Sequence, residues 1–312
     1  MLCIASLIVF SILGIFSASH RELAREAFSC TIRRLTLRPC ETGFKEKVKS
    51  KVLASLLERS VLAAKIFNKY FEILSFIFVV LMVGSTIWTI RGGYNYFFYG
   101  SCNGLNATGF CAFDASGENN KVTQVSASCG LDTPTEKDLD ISKVNTKNFP
   151  VKNKNGKLKV VFIGCYECDY TRKAYPDIKK LSEKKDVEFV FMHYPAKQNT
   201  VQLSRIDYCA YQVDQEKFWQ LNDLFFSADR SRLSEIDYLK SIINSAGYEA
   251  DKILSCAENK ETKTAVSEQV LEMEKSGLYG TPTVFIGNKV FVGPKPYRVY
   301  WWEIFKNLEF RM

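Results

Sequence analysis

The sequence has few histidines and only one Cys-x-x-Cys pair. Its 312 residues include 2 histidines and 10 cysteines. A zinc ribbon requires two such pairs, and a mixed site requires histidine close to cysteine, so both kinds of structural zinc site are disfavoured. We therefore expect no metal ion and no cofactor. The sequence also lacks internal repeats and any nucleic-acid-binding motif.

Charged residues are absent from two apolar stretches, residues 2–16 and 73–90. The second stretch is long enough to cross a bilayer. The first is either a short span or the apolar part of a signal peptide. No Lys or Arg precedes it, which argues against a signal, whereas Ser17-Ala18-Ser19 is typical of a cleavage site. We expect a retained anchor over residues 1–95, with spans at about residues 2–18 and 71–91.

Most of the net charge of +8 lies between these two stretches. Residues 19–70 contain 12 basic and 5 acidic side chains, and the rest of the chain is nearly balanced. The positive-inside rule places this loop in the cytoplasm, with both ends of the chain outside. A nucleic-acid surface is the alternative for a basic segment, but the flanking apolar runs disfavour it. The sequence thus predicts a protein of the cell membrane with an extracytoplasmic C-terminal domain and no nucleic-acid partner.

The cysteine distribution agrees with this topology, because disulfides persist in oxidising compartments. Cys102 and Cys111 form the simplest pair in a loop and linker region, residues 96–155. Cys30 and Cys40 fall in the cytoplasmic loop, as reduced thiols or half of a metal site. Seven cysteines follow the second span: Cys102, Cys111, Cys129, Cys165, Cys168, Cys209 and Cys256. Since seven is odd, at least one is free or paired between chains.

The motif Cys165-Tyr166-Glu167-Cys168 follows an apolar β-branched run and precedes a segment with helical periodicity. A cysteine at a helix N-terminus has its thiolate stabilised by the helix dipole and free N–H groups. This placement predicts a lowered pKa for Cys165, with Cys168 one turn away to resolve a mixed disulfide. A structural disulfide is the alternative for the pair.

The last part of the chain, residues 156–312, has the pattern of one α/β domain. Strands are predicted at residues 158–163 and 187–192, with a helix over 166–184 between them. A helical block over 202–278 follows, broken near residues 227–231 and again near Gly247. After it comes a hairpin of strands at 283–286 and 290–292, joined by Gly287-Asn288-Lys289. An amphipathic helix over 296–308 closes the chain.

This order of elements around a Cys-x-x-Cys pair resembles the thioredoxin fold of the DsbA-like group. The resemblance is carried by residues 161–168, by Tyr208-Cys209-Ala210 with Lys217-Phe218-Trp219, and by Gly280-Thr281-Pro282-Thr283-Val284. It covers about the last half of the chain. It implies an α/β thioredoxin fold with a DsbA-like helical insertion, here preceded by a helical membrane anchor.

The resemblance also implies roles for particular residues. Cys165 is the nucleophile and Cys168 the resolving thiol. Thr281-Pro282 is a cis bond beside them, which leaves the Thr281 backbone free to pair with an extended substrate.

The resemblance makes Cys209 and Cys256 a second pair, as a structural disulfide, as two buried thiols or as a redox relay. Tyr166 and Glu167 are expected to modulate the motif. Glu167 departs from the histidine of strongly oxidising members, and a carboxylate there should raise the pKa of Cys165. His193 is expected to be a satisfied polar residue at a strand end rather than a catalytic group.

We therefore expect a membrane-anchored thiol–disulfide oxidoreductase that forms disulfides in exported proteins. A separate membrane protein, of the DsbB or the vitamin K epoxide reductase type, would re-oxidise it. Two alternatives stay open: a reductase or isomerase with the same site, and a non-catalytic binding or chaperone module with a static cysteine pair.

Overall fold

A computed structural model describes residues 25, 28–29, 43–125, 139–197 and 200–309. The chain divides into two compact units, Met1–Arg91 and Gly92–Met312. The predicted first span lies outside the described residues, and so do Cys3, Cys30, Cys40 and Cys129.

Two helices are described in the N-terminal part of the chain. Helix α1 is Gly43–Leu57, and α2 is Val61–Tyr99 with a kink at Tyr70 (φ −107°, ψ 15°). Within α2, Phe76–Tyr99 is long and apolar enough to cross a membrane, with mean hydropathy 1.6 and none of its apolar window buried. This segment overlaps the predicted span at 71–91 and extends beyond it, because the helix continues through Gly92 and Gly93.

The C-terminal unit contains a mixed sheet and a helical layer. Its strands are β1 (Thr123–Gln124), β2 (Val151–Lys152), β3 (Leu158–Gly164), β4 (Val187–His193), β5 (Gly280–Thr281), β6 (Thr283–Ile286) and β7 (Lys289–Val292). Its remaining helices are α3 (Asp169–Ser182), α4 (Val201–Val213), α5 (Lys217–Ser227), α6 (Ile236–Ser245), α7 (Ala250–Glu258), α8 (Lys260–Glu274) and α9 (Tyr297–Glu309).

Five strands form one sheet in the order β2-β4-β3-β6-β7, and β1 and β5 form a separate antiparallel pair. Strand β3 is parallel to β4 and antiparallel to β6. The central strand is buried on both faces, so its side chains alternate between two cores. Val160 and Phe162 join the core under the helical layer, whereas Val161 and Ile163 join the opposite one.

Two segments differ from the sequence-based expectation. Strand β2 pairs antiparallel with β4, so the sheet begins inside the segment predicted to be a linker. Its two residues are too few to show a strand pattern. The helical block over 202–278 is five helices. The predicted breaks near residues 227–231 and near Gly247 (φ +81°) are confirmed, and two further breaks, at residues 214–216 and at Asn259, were not predicted.

Both candidate structural pairs are disulfides. Cys209 and Cys256 join α4 to α7, with Cα atoms 6.1 Å apart. Cys102 and Cys111 close a loop between α2 and β1, with Cα atoms 5.2 Å apart.

Candidate active site

The Cys-x-x-Cys motif occupies the turn between β3 and α3. Cys168 is the N-cap residue of α3, with extended backbone (φ −86°, ψ 122°). Its N–H donates to the Cys165 carbonyl (3.3 Å), and its own carbonyl accepts from the Arg172 N–H (3.0 Å). The helix therefore begins at Asp169, later than the predicted start at Tyr166, because the motif itself forms the turn.

Gly164 permits this turn to lie close to the sheet. A Cβ atom at this position would lie 2.6 Å from the Phe162 ring and 2.9 Å from the Thr171 methyl group. Real Cβ atoms do not approach so closely, so a side chain would displace the motif. The Gly164 carbonyl accepts from the Tyr194 N–H (2.8 Å), which fixes the end of β3 to the segment after β4.

The cysteine pair is reduced and buried, and it lies beside a cis peptide bond. Neither Cys165 nor Cys168 exposes surface (0% each). The Thr281-Pro282 bond is cis. The pairing of Ile163 with the residue that follows Pro282 brings this bond to the motif. The structure thus brings together the motif and the Thr281-Pro282 pair.

The Cys165 and Cys168 thiols are hydrogen-bonded to each other, and polar groups around Cys168 favour a thiolate in the pair. The pKa of Cys168 is lowered to about 7, first by the hydrogen bond from Cys165, then by the Thr281 and Thr123 hydroxyls and the charge of Lys197. The pKa of Cys165 is raised, because that thiol donates to Cys168 and is buried. The sequence predicted the lowered pKa at Cys165. In the structure the two thiols share a hydrogen bond, so the lowered pKa belongs to the pair, and the assignment of the thiolate to Cys165 stays a prediction.

The motif side chain Tyr166 belongs to a buried polar network. Its hydroxyl donates to Asp207 (3.1 Å) and accepts from the Asn222 amide (2.8 Å). The Nδ1 atom of His193 lies 3.3 Å from the Asp207 carboxylate and 3.2 Å from the Ser204 hydroxyl. Burial raises the pKa of Asp207, and His193 and Tyr166 oppose that rise. Single polar residues in helical segments gave no sequence signal for this network.

Arg172 fixes the motif to the helical layer. Its Nε donates to the Tyr166 carbonyl (2.6 Å), and a terminal nitrogen donates to the carbonyls of Phe225 (2.8 Å) and Ala228 (2.6 Å).

Glu167 is 5% exposed, and its carbonyl accepts from the Lys197 ammonium group (3.3 Å). The Glu167 N–H favours the thiolate of Cys165. The influence of the Glu167 carboxylate on the motif stays a prediction.

Strand β1, which the sequence did not predict, lies beside the cis bond. Thr123 pairs with Thr281 and Gln124 pairs with Gly280, in antiparallel orientation. A two-residue strand within a polar segment carries no periodicity that could reveal it.

A thioredoxin-type sheet with a Cys-x-x-Cys pair after its central strand and a cis-proline beside it defines the thioredoxin-fold oxidoreductases. Within that class, the DSBA-like thioredoxin domain family model matches residues 137–300, more than half of the 312 residues. The chain therefore belongs to this family and is a thiol–disulfide oxidoreductase with the DsbA-like fold, as the sequence predicted. No curated protein matches the chain.

Several solved structures are similar to part of the chain. The catalytic domain of ScsC from Proteus mirabilis has 18% identity over 54% of this chain and 93% of its own, with a TM-score of 0.45. The thiol-disulfide exchange protein alpha-DsbA2 from Wolbachia pipientis has 19% identity over 54% and 93%, with a TM-score of 0.46. Oxidised BdbD from Bacillus subtilis has 19% identity over 53% and 94%, with a TM-score of 0.45. These values are too low to support a functional argument, so the assignment rests on the family match.

Proposed function

We propose that this oxidoreductase is anchored in the cell membrane and forms disulfides in exported proteins. The observation that supports this direction is the group of donors around Cys168, formed by the Thr281 and Thr123 hydroxyls and the Lys197 ammonium group. A group of donors that stabilises the thiolate stabilises the reduced enzyme, and a stable reduced form makes the disulfide form a stronger oxidant.

In the oxidised enzyme, a substrate thiolate attacks the Cys165 sulfur and the Cys165–Cys168 bond breaks. Cys168 leaves as the thiolate, and a leaving group with a low pKa leaves faster. A second substrate thiolate then attacks the substrate sulfur of the mixed disulfide and releases Cys165. The substrate loses two electrons and two protons; Cys165 takes up one proton, solvent takes the other while Cys168 stays a thiolate, and the enzyme pair gains the electrons. A separate membrane protein, of the DsbB or vitamin K epoxide reductase type, would remove them.

Two observations support the proposed location. The segment Phe76–Tyr99 has the length and composition of a span and is not buried in the protein. The disulfides Cys102–Cys111 and Cys209–Cys256 suit an oxidising compartment. Fractionation of the full chain with membranes, followed by alkylation of intact cells with an impermeant thiol reagent, tests both points.

The acidic spacer favours a second candidate, a reductase or isomerase. Glu167 lies between the cysteines and is nearly buried, so its carboxylate would oppose a thiolate nearby. The reduction potential of the full chain, equilibrated with glutathione, separates the two. A potential near about −120 mV supports the oxidase, and one near about −270 mV supports the reductase. The third alternative, a non-catalytic module, is not retained because the chain belongs to an oxidoreductase family.

A further inference from the structure

We propose that strand β1 blocks the edge of β5 by pairing with it. A substrate peptide can then pair with β5 only after it displaces β1. The proposal rests on the proposed function, because it concerns the edge where an extended substrate would pair. The occupant is the segment of residues 122–125 of this same chain.

The backbone of β5 is already paired. Thr123 lies opposite Thr281 and Gln124 lies opposite Gly280. The Val125 N–H continues the ladder by donating to the Tyr279 carbonyl (3.1 Å). A second antiparallel strand cannot use the same edge, because each edge N–H and carbonyl takes one partner strand.

The side chains of this segment fit the edge closely. A Cβ atom on Gly280 would lie 2.5 Å from Val122 Cγ2 and 2.7 Å from Val122 Cβ. The missing side chain at Gly280 therefore makes the space that Val122 fills. The backbone of Gly280 does not adopt a positive φ, so conformational freedom is not the reason for glycine at this position.

The segment also reaches one of the two reacting sulfurs, that of Cys168. The Thr123 hydroxyl is one of the donors that lower the pKa of Cys168. Neither Cys165 nor Cys168 has exposed surface. Thiol–disulfide exchange requires one sulfur to approach another along the bond that breaks, so access must be opened before a protein substrate can react.

Contacts upstream hold the segment close to the edge. Glu118 forms an ion pair with Lys173. The Lys295 ammonium group donates to the Asn119 carbonyl (2.7 Å), and the Asn120 amide donates to the Ala107 carbonyl (3.0 Å). A tethered strand competes at a high effective concentration, so a weak intrinsic affinity is enough to occupy the edge.

The cost to a substrate depends on how often β1 is docked. If it is docked in nine molecules of ten, only one in ten is competent to bind. Displacing it should then lower the KM for a peptide substrate about tenfold without changing kcat.

The test compares two proline substitutions in the full chain. Val125→Pro removes the N–H that donates to Tyr279. Gln124→Pro is the matched control. N–H groups of successive residues in a strand point to opposite sides, so the Gln124 N–H points away from β5, and the Gln124 side chain is exposed. With a reduced, extended two-cysteine peptide as substrate and equal melting temperatures, we expect KM to fall about tenfold only in Val125→Pro. A KM equal to wild type in folded Val125→Pro would overturn the proposal.

A second measurement does not depend on activity. We expect the Val125 N–H to be protected from hydrogen exchange in the wild-type protein and to lose that protection in Gly280→Ala, whose new methyl group clashes with Val122. An unprotected Val125 N–H in the wild-type protein would refute occupation of the edge, even if Val125→Pro fails to fold. If the wild-type protein and the Val125→Pro variant both lack exchange activity while this N–H is protected, the proposed function fails and the occupation stands.

Discussion

The hydroxyl of Thr123 offers a direct test of what stabilises the thiolate. Thr123→Val removes this donor and keeps a β-branched side chain of similar shape, so β1 should stay paired with β5. A hydrogen bond to a charged group contributes about 1.5–3 kcal/mol, and one pKa unit corresponds to about 1.4 kcal/mol. Because Cys165, Thr281 and Lys197 still act on Cys168, we take the lower end and expect a rise of about one unit.

The pKa of Cys168 should therefore move from about 7 to about 8. At pH 7 the thiolate fraction of the reduced protein would fall from about a half to about a tenth. The ultraviolet absorbance of the thiolate, titrated through the neutral range with the oxidised protein as blank, measures this shift.

The control is Thr262→Val. The Thr262 hydroxyl lies 3.7 Å from the Cys209 sulfur and 3.6 Å from the Cys256 sulfur, so it makes the same kind of contact at a pair that does not titrate. This variant should leave the thiolate midpoint unchanged. An unchanged midpoint in Thr123→Val as well would show that the hydroxyl does not act on Cys168, and the reasoning above would be wrong.

The remaining predictions concern stability. The folded pKa of Cys168, about 7, is below its ordinary value of 9.0, so between these values the unfolded chain binds more protons and stability rises with pH. We expect Cys168 to add about 2 kcal/mol to the stability of the reduced protein from pH 7 to pH 9, a gain that the raised pKa of Cys165 partly offsets near pH 9. The oxidised protein should gain none of it, by urea unfolding at each pH; a flat difference would contradict the lowered pKa. Replacing Cys209 and Cys256 by alanine opens a loop of 47 residues and should cost about 4 kcal/mol, whereas opening the loop of 9 residues should cost about 2.5 kcal/mol. Equal losses in the two alanine pairs would rule out loop length as the cause.

Local sequence patterns predicted most of the fold. The run of β-branched and aromatic residues in β3 and the helical periodicity after the motif indicated the β-α-β unit, because long elements repeat their signal over many residues. The hairpin of β6 and β7 was predicted from Gly287-Asn288-Lys289; in the structure the turn is Gly287-Asn288, and Lys289 is the first residue of β7. Two of the four breaks in the helical block were predicted, near residues 227–231 and near Gly247. The other two, at residues 214–216 and at Asn259, are short turns without glycine or proline, so the pattern does not show them.

The electrostatics of the site could not be predicted in the same way. The sequence identified Cys165 and Cys168 as a pair, but the donors to the thiolate come from distant positions, Thr123 and Thr281. The same limit applies to Asp207, which meets Tyr166 only after the chain folds. Contacts between residues far apart in the chain leave no periodic trace in a single sequence.

Arg172 has a mechanical consequence. Its guanidinium is always charged and bridges the active-site turn to the end of α5 through three carbonyl oxygens. Separating the turn from the helical layer would leave the guanidinium and the three carbonyl oxygens without their hydrogen-bond partners. The turn and the helical layer should therefore move as one rigid body. A force applied to a substrate held in a mixed disulfide would then pass into the helical layer and would not bend the turn. The distance between the Cys165 and Cys168 sulfurs would stay the same while the substrate is pulled.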